Sequence, residues 1–305
     1  MDFSLNILGC GSATPTARHL PSAQVVDHRS RLFMVDCGEG AQLQLRRMKL
    51  KMQRINHIFL SHLHGDHFLG LPGLLSTKAL HEKGSAVTIH TFSEGAKLLQ
   101  QMLGFLCGDT PFDIRYNILT FGQTGTIYED DALTVDTFPL YHRVPTQGYV
   151  FRERPKMRHV VGDMLAFHQV PHYRVTEIRA GADFVKPDGT VVPNAVLTTD
   201  ATPAMSYAYC SDTMFDRRVA KAVEGVDTIY HESTYGDSEA HLARQRGHST
   251  ARQAAQIAAM TGARRLILGH YSKRYHTTDT LVAEAAEEFH GEIIAANEGM
   301  RIPLN

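Results

Sequence analysis

Four potential metal ligands occur within six consecutive residues in the stretch Ser61-His62-Leu63-His64-Gly65-Asp66-His67. The apolar run Ile55–Leu60 before it predicts a buried strand, and the Gly- and Leu-rich segment 68–75 after it predicts a turn into a helix. In extended backbone, residues i and i+2 point the same way, so His62 and His64 are placed to hold one ion. The turning chain directs Asp66 and His67 towards a second ion. The stretch therefore predicts a loop that begins a two-metal site.

The donor atoms of this loop indicate which ions it suits. Imidazole nitrogen and carboxylate oxygen, without thiolate, suit zinc, manganese or iron. One loop cannot saturate two ions, so open positions and further ligands elsewhere in the chain are expected. A surface loop that happens to be rich in histidine is the competing interpretation. Chance, however, rarely places four ligands in six positions directly after a buried strand.

Composition places the chain in a broad class. Its 305 residues contain 43% hydrophobic and 21% charged residues, which is typical of a globular protein with a sizeable core. The net charge of -1 gives no global reason to expect a nucleic-acid partner, so any site for a polyanion must be local. The four cysteines form no C-x-x-C pair, and no run of 18 apolar residues or signal sequence is present. We predict a cytoplasmic protein without a membrane segment.

Alternating strand and helix patterns determine the predicted fold class. Helices over about 41–50, 69–81 and 94–106 alternate with strands over 55–60, 86–92 and 113–121, and this order predicts an α/β sandwich. No linker-like stretch divides the chain, so we expect a single domain over 1–305. The segment Arg152–Pro193 differs, because it is rich in charge, Pro and His and has no long periodic element. We expect it to form an arm that projects from the sandwich.

Three more ligand-type residues follow predicted strands. His142 comes at the end of the strand that begins at Leu133, Asp212 follows Tyr207–Cys210, and His270 follows Arg265–Gly269. Functional groups of α/β sheets gather at strand ends, so these three residues are candidates to complete the metal spheres. A single histidine after a strand is more often structural. Because the first loop cannot supply all the ligands of two ions, however, we favour His142, Asp212 and His270 as metal ligands.

His248 is a candidate for proton chemistry. It lies just before an Ala-rich helix that has Thr250 and Gln253 at capping-box spacing, and the positive end of a helix favours contact with an anion. A general-acid role is possible, and so is a histidine that serves only to begin the helix. The segment His231-Glu232-Ser233-Thr234-Tyr235 is not a helical H-E-x-x-H zinc site, because tyrosine stands where the second histidine is required.

Three segments offer local contacts to a polyanion, each with a simpler alternative. The Gly-rich turn at 9–12 could meet a phosphate, although a plain turn is the simpler interpretation. A basic cluster at the end of the first helix, Arg46–Arg54, could bind phosphate or could form a solvated face. The arm opens with four cations that are candidates for RNA contacts: Arg152, Arg154, Lys156 and Arg158.

Motifs along nearly the whole chain resemble the ribonuclease Z family. H-x-H-x-D-H by itself marks the wider metallo-β-lactamase superfamily. Three further motifs resemble those of the transfer-RNA 3′ endonucleases. They are Gly70-Leu71-Pro72-Gly73, His231-Glu232-Ser233-Thr234 and His270-Tyr271-Ser272-Lys273-Arg274-Tyr275. The arm departs from the family pattern, because its segment 162–171 contains no Gly-Pro pair. Ser211 stands where the family usually has glycine.

The resemblance implies a fold, a cofactor and partners. It implies a four-layer αββα metallo-β-lactamase sandwich with an inserted arm that grips transfer RNA, a homodimer, and two Zn²⁺ ions per chain. One ion would be held by His62, His64, His142 and Asp212. The other would be held by Asp66, His67, Asp212 and His270, with Asp212 bridging the two.

The implied reaction is removal of the 3′ trailer from precursor transfer RNA. A two-metal site activates water for in-line attack on phosphorus. Asp66 would accept the proton of that water, and His248, oriented by Glu232, would protonate the leaving 3′-oxygen. The products would be a transfer RNA with a 3′-hydroxyl and a trailer with a 5′-phosphate. Two other functions remain open: a small-molecule phosphodiesterase of the same superfamily, and a non-catalytic RNA-binding protein stabilised by metal.

Overall fold

Residues 3–80 and 85–305 are described by a computed structural model. They divide into two compact units, of which the larger contains the described residues up to 128 together with 135–151 and 206–305, and the smaller contains 129–134 and 152–205. We call residues 152–205 the main segment of the smaller unit. The helices and strands up to the start of this segment are, in chain order, β1 (Phe3–Gly9), β2 (Ala23–His28), β3 (Arg31–Cys37), α1 (Ala41–Arg47), β4 (Ile55–Phe59), α2 (Gly65–Phe68), α3 (Gly70–Ala79), β5 (Val87–Phe92), α4 (Ser93–Cys107), β6 (Ile114–Leu119), β7 (Gly125–Glu129), β8 (Leu133–Tyr141) and β9 (Pro145–Glu153).

The smaller unit has short elements of its own. They are β10 (His159–Val160), α5 (Gly162–Phe167), α6 (Val175–Arg179), β11 (Phe184–Val185), β12 (Val191–Val192), α7 (Asn194–Leu197) and β13 (Thr198–Thr199). A small apolar cluster stabilises the unit and consists of the buried side chains of Ile178, Phe184, Val192 and Leu197. The segment expected to be an arm without long periodic elements therefore contains three short helices around its own core.

The chain then returns to the larger unit. The remaining elements are β14 (Ser206–Cys210), α8 (Arg217–Ala222), β15 (Thr228–Glu232), α9 (Ala240–Arg246), α10 (Ala251–Thr261), β16 (Arg265–Gly269), α11 (Asp279–Ala286), β17 (Glu292–Ala295) and β18 (Arg301–Pro303). Apart from β10 to β13, the strands form two seven-stranded sheets, with the orders β18-β1-β2-β3-β4-β5-β6 and β17-β16-β15-β14-β9-β8-β7. The strands β3 to β6 and β14 to β17 run parallel within their sheets.

The two sheets pack face to face through aromatic side chains. Phe59 lies 5.3 Å from Tyr149 and 5.6 Å from Phe151 between ring centroids, and the Tyr149 hydroxyl donates to the carbonyl of Leu60 at 2.6 Å. Helices α1, α3 and α4 contact one another or the first sheet, and α8, α10 and α11 do the same on the second sheet. This arrangement is the predicted four-layer αββα sandwich.

Several predicted boundaries differ from the observed ones. The predicted helix over 41–50 ends at Arg47, because Lys49 has a φ of 57°, which a helix cannot accommodate. The predicted helix over 69–81 is observed as α3, and its predicted end at His81 lies outside the described residues. Strand β9 was not predicted, and it includes Arg152, which had been assigned to the arm. Among residues 3–80 and 85–305, the helices are all too short or too polar to cross a membrane.

Candidate metal centre

Seven ligand-type side chains of the larger unit converge at the carboxyl ends of its strands. Four lie on the loop between β4 and α3, and the other three follow β8, β14 and β16. The parallel register aligns Cys210 with His231 and His231 with Leu268, so Asp212 and His270 leave the second sheet at the same edge. The structure thus brings together side chains from both sheets: His62, His64, Asp66, His67, His142, Asp212 and His270.

One group of donor atoms surrounds a space suited to a single ion. His62 Nε2 lies 3.0 Å from His64 Nδ1, and His142 Nε2 lies 3.4 Å from that same nitrogen. Asp212 Oδ2 completes the group at 3.6 Å from His62 Nε2 and 3.8 Å from His142 Nε2. Donors around a tetrahedral zinc ion are separated by about 3.3–3.6 Å, so these four atoms have the spacing of one coordination sphere.

A second group faces the other oxygen of the same aspartate. Asp212 Oδ1 lies 3.4 Å from His67 Nε2 and 3.1 Å from His270 Nε2. Asp66 Oδ2 lies 3.5 Å and 3.4 Å from those two nitrogens. The carboxylate of Asp212 therefore divides its oxygens between the two groups, which is the geometry of a bridging ligand.

The hydrogen bonding of Asp212 tests whether these residues fit a metal. Its side chain is 3% exposed, and Oδ1 is buried without a hydrogen-bond partner among the described residues. A buried charged oxygen without a partner costs several kcal/mol unless a cation compensates it. This oxygen without a hydrogen-bond partner and the nitrogen and oxygen donors around it fit divalent cations, so both groups are suited to bind metal.

The remaining ring nitrogens of the ligand histidines are held by hydrogen bonds. Ser61 Oγ lies 3.0 Å from His62 Nδ1, and Asp36 Oδ2 lies 2.7 Å from His67 Nδ1. The carbonyl of Gly247 accepts from His142 Nδ1 at 2.6 Å, and Thr234 Oγ1 lies 2.9 Å from His270 Nδ1. These contacts fix the orientation of the four rings so that each Nε2 faces its donor group, whereas His64 faces its group through Nδ1.

Asp36 orients His67, and the sequence did not indicate this role. Besides His67, it accepts hydrogen bonds from the Ser61 amide at 2.7 Å, the Ser61 hydroxyl at 2.8 Å and the Tyr209 hydroxyl at 2.7 Å. It is fully buried and has a φ of 55°, which is unusual for a residue other than glycine. The available signals were its position at the end of a strand and its place in Asp36-Cys37-Gly38-Glu39-Gly40, a segment that resembles a motif of the ribonuclease Z family.

Charge and burial set opposite pKa shifts within the cluster. Burial lowers the pKa of His62, and the neighbouring His67 lowers it further, so His62 is neutral and able to bind a metal. Burial also acts to lower the pKa of His67, but the carboxylates of Asp66, Asp212 and Asp36 outweigh it and raise that pKa. Burial acts to raise the pKa of Asp66, yet His67 and His270 hold it well below its usual range. The Asp66 carboxylate is therefore ionised.

His248 and Glu232 form a buried pair beside the ligands. His248 Nδ1 lies 2.8 Å from Glu232 Oε1 and 3.9 Å from Asp212 Oδ2. Burial acts to lower the pKa of His248, but Glu232 and Asp212 outweigh it and raise that pKa to about 9. The predicted capping box of the following helix is present, with Thr250 accepting from the Gln253 amide at 3.2 Å. The two carboxylates thus favour the protonated form of the His248 ring.

The ligands open into a cleft with a basic rim. The cleft has a volume of about 940 Å³ and is lined by His64, Asp66, His142, Asp212, His248 and His270. Four cations also line it: Arg143, Arg246, Lys273 and Arg274. Both Arg246 and Arg274 are held against Tyr235, by a hydrogen bond of 3.1 Å and by a ring contact at 5.1 Å respectively. Such a rim attracts a phosphate backbone.

The four cations proposed from the sequence for RNA contacts lie in the smaller unit. Arg154 pairs with Glu129 at 2.8 Å, Lys156 with Glu153 at 2.7 Å and Arg158 with Asp200 at 2.8 Å. Arg152 also has a partner. Carboxylates of the smaller unit therefore neutralise part of the charge of these cations. The sequence did not indicate these ion pairs.

Comparisons with solved structures identify the fold. The short form of human tRNase Z aligns with a TM-score of 0.70 at 24% identity, covering 99% of each chain. The metallo-beta-lactamase fold protein YhfI from Bacillus subtilis aligns with a TM-score of 0.69 at 18% identity, covering 98% of each chain. The sandwich and its cluster of histidines and aspartates thus define a protein of the metallo-β-lactamase fold.

Comparisons with proteins of similar sequence identify the family within the metallo-β-lactamase fold. A ribonuclease Z from Parabacteroides distasonis is 47% identical over 303 residues, which is 99% of each chain, and one from Bacteroides fragilis is 45% identical over 293 residues, which is 96% of each chain. A family model described as anti-Pycsar protein Apyc1 matches residues 3–109. The full-length likeness decides the assignment, and the chain belongs to the ribonuclease Z family.

Proposed function

We propose that this protein is an endoribonuclease that removes 3′ trailers from precursor transfer RNA. The main observation in support of the proposal is that the two oxygens of Asp212 face two different groups of donors. One of these oxygens, Oδ2, lies 3.9 Å from His248 Nδ1. Relatives with full-length likeness bear the name ribonuclease Z, which indicates the substrate class. We propose two Zn²⁺ ions per chain, held by His62, His64, His142 and Asp212 and by Asp66, His67, Asp212 and His270.

When bound, the two ions supply Lewis acidity and lower the pKa of water in the cleft. The residues of the chain provide the proton chemistry. Asp66 is ionised, and its Oδ2 accepts a hydrogen bond from the Ala13 amide at 2.7 Å, so it is oriented to accept a proton from the attacking water. His248 is fixed through Nδ1 by Glu232, so its Nε2 is the atom that would protonate the leaving 3′-oxygen.

Substrate binding would depend on the basic rim and on the smaller unit. The rim cations Arg143, Arg246, Lys273 and Arg274 would bind phosphates next to the scissile bond. For the smaller unit, we propose that Arg152, Arg154, Lys156 and Arg158 meet phosphates farther along the RNA. We also propose a homodimer, as the resemblance implies. The four cysteines are free, as expected for the reducing cytoplasm that we propose as its location.

The decisive experiment is incubation of the metal-loaded protein with one precursor transfer RNA, followed by mapping of both new ends. We expect a 3′-hydroxyl on the transfer RNA and a 5′-phosphate on the trailer. The matched control is His62→Ala, which removes one proposed ligand. Hydrolysis of a nitrophenyl phosphodiester without RNA cleavage would instead indicate a small-molecule phosphodiesterase. RNA binding without turnover of either substrate would indicate a non-catalytic binding protein.

A further inference from the structure

A second group of metal-ligating side chains lies outside the proposed centre. Cys10 Sγ is 3.4 Å from His19 Nδ1 and 3.5 Å from Glu298 Oε1, and His19 Nδ1 is 3.1 Å from Glu298 Oε2. The thiol also contacts the carbonyl of Ala296 at 3.4 Å. We propose that Cys10, His19 and Glu298 form a third cation site, suited to Zn²⁺, that serves a structural role.

The spacing of the three donor atoms supports this proposal. A zinc ion with bonds of about 2.3 Å to sulfur and about 2.0–2.2 Å to nitrogen and oxygen separates its tetrahedral donors by about 3.4–3.6 Å. Here Cys10 Sγ lies 3.4 Å from His19 Nδ1 and 3.5 Å from one carboxylate oxygen of Glu298, and the other oxygen of that carboxylate lies 3.1 Å from His19 Nδ1. The donors of the proposed centre are separated by comparable distances, for example 3.0 Å between His62 and His64 and 3.6 Å between His62 and Asp212. Only small side-chain shifts would therefore be needed to bind an ion.

The charges of the three side chains also suit a divalent ion. A Cys thiolate and a Glu carboxylate together neutralise one Zn²⁺, and neutral imidazole supplies the third donor. Cys10 is fully buried, and its burial and the nearby Glu298 raise the pKa of the thiol well above its usual value. The thiolate is therefore stable at this position only when a cation replaces its proton. A site that is neutral when occupied avoids the cost of an isolated buried charge.

Access and sequence spacing indicate the role of the site. The side chains of His19 and Glu298 are 20% and 12% exposed, so an ion can enter from solvent and a water molecule can complete the tetrahedron. Cys10 follows β1, His19 lies in the loop that leads to β2, and Glu298 precedes β18. One ion would thus link the loop that contains Cys10 and His19 to Glu298, which is 288 residues from Cys10 in the chain.

The loop between Cys10 and His19 connects this site to the proposed centre. The Ala13 amide of that loop donates to Asp66 Oδ2 at 2.7 Å, with Ala13 at an unfavourable φ of 61°. At its other end, the Leu20 amide donates to Glu298 Oε1 at 2.8 Å. A cation at Cys10, His19 and Glu298 would hold the loop in this conformation and so keep the Asp66 carboxylate in position.

Cobalt substitution tests the proposal independently of activity. The proposed centre offers only nitrogen and oxygen donors, so a sulfur-to-cobalt charge-transfer band in the near ultraviolet can arise only from a cysteine ligand. We expect this band in the Co²⁺-loaded wild type. We expect it to be lost in Cys10→Ser and weakened in Glu298→Gln. Cys107→Ser changes the half-exposed cysteine and is the matched control, in which the band should persist.

Elemental analysis provides the second measurement. The zinc-loaded wild type should hold about three ions per chain and Cys10→Ser about two. Absence of the sulfur band in the Co²⁺-loaded wild type, or its persistence in Cys10→Ser, would overturn the third site and leave a purely hydrogen-bonded triad. Failure of the proposed centre would appear differently, as a loss of the two other ions with the sulfur band retained.

Discussion

Asp36 Oδ2 lies 2.7 Å from His67 Nδ1, and both side chains are fully buried. The same carboxylate also binds Ser61 and the Tyr209 hydroxyl, so it links β3, the metal-binding loop and β14 through one side chain. It therefore both orients His67 and increases the electron density of its ring.

Replacing Asp36 should weaken metal binding without removing a ligand. Asp36→Asn keeps an acceptor near His67 but loses the charge, and we expect metal affinity to fall by about 10–100-fold. Tyr209→Phe removes one donor to the carboxylate and should cause a smaller loss. Competition with a chelator of known affinity measures both variants. An Asp36→Asn affinity equal to that of the wild type would show that Asp36 has only a packing role.

His248→Gln should lower turnover selectively. The 3′-oxygen of RNA is a poor leaving group and needs a proton, whereas nitrophenolate leaves without one. We therefore expect RNA cleavage to fall by about 10²–10⁴-fold and hydrolysis of a nitrophenyl diester to change little. Single-turnover rates on both substrates give this comparison, and His241→Gln on α9 is the surface control. Equal losses on both substrates would contradict the acid role, and the metal content should be unchanged.

The ion pairs of the smaller unit allow a sharp test of RNA binding. Arg154→Ala with Arg158→Ala removes two cations, and Glu129→Ala with Asp200→Ala breaks the same two ion pairs by removing the anions. If the cations meet phosphates, the first variant should bind RNA more weakly, with a salt slope lower by about one per lost contact. The second variant should bind RNA as tightly as the wild type or more tightly.

Two outcomes of that comparison would reject this role. Equal weakening in both double variants would mean that the ion pairs matter only for the folding of the unit. Unchanged affinity and salt slope in the arginine variant would direct attention to other cations, first to Arg46–Arg54. Hydrolysis of a small diester is the internal control, because such a substrate is too short to reach phosphates away from the scissile bond.

His90 should make the protein sensitive to acid. It is buried, stacks on Phe59 at 4.2 Å and lies 3.1 Å from His57, and burial followed by the effect of His57 lowers its pKa to about 3. The pKa of His90 is thus lower in the folded protein than the value of about 6.5 in the unfolded chain. The contribution of the buried neutral ring to the free energy of unfolding is therefore fully present above pH 6.5 and is lost as pH falls towards 3. The loss contributed by His90 should approach about 1.4 kcal/mol per pH unit within that window.

His90→Gln isolates this contribution. The variant should be less stable than the wild type at pH 7, and the difference in the free energy of unfolding should shrink as pH falls from 6.5 to 4. Urea unfolding at several pH values provides the measurement. A difference that stays constant with pH would show that His90 does not remain neutral in the folded protein.

The proposed ligands could be predicted because each follows an apolar run that ends in a turn, and such runs are local in sequence. The hydrogen bonds that orient them could not be predicted. Asp36 precedes His67 by 31 residues, and Gly247 acts on His142 through its carbonyl, which carries no side-chain signal. The third cation site was missed for the same reason, because Cys10 and Glu298 are 288 residues apart.

Strand β9 shows how tertiary packing overrides local preference. Pro145 and Gly148 indicate a turn, yet Pro145 is the first residue of the strand, where its missing amide hydrogen is tolerated. Gly148 lies against the ring of Phe138 in β8, and a Cβ at this position would overlap that ring. The short helices of the smaller unit span four to six residues, which is too few to produce a helical period.

Strands β9 and β14 are neighbours in the second sheet, and the main segment of the smaller unit runs from the end of one to the start of the other. The sheet thus anchors both ends of that segment side by side. Chain between two fixed, adjacent ends can lengthen, shorten or change composition at little cost in loop-closure entropy and without altering the register of the sheet. A change of length within this segment would therefore leave unchanged the register of the strands that lead to the proposed metal ligands.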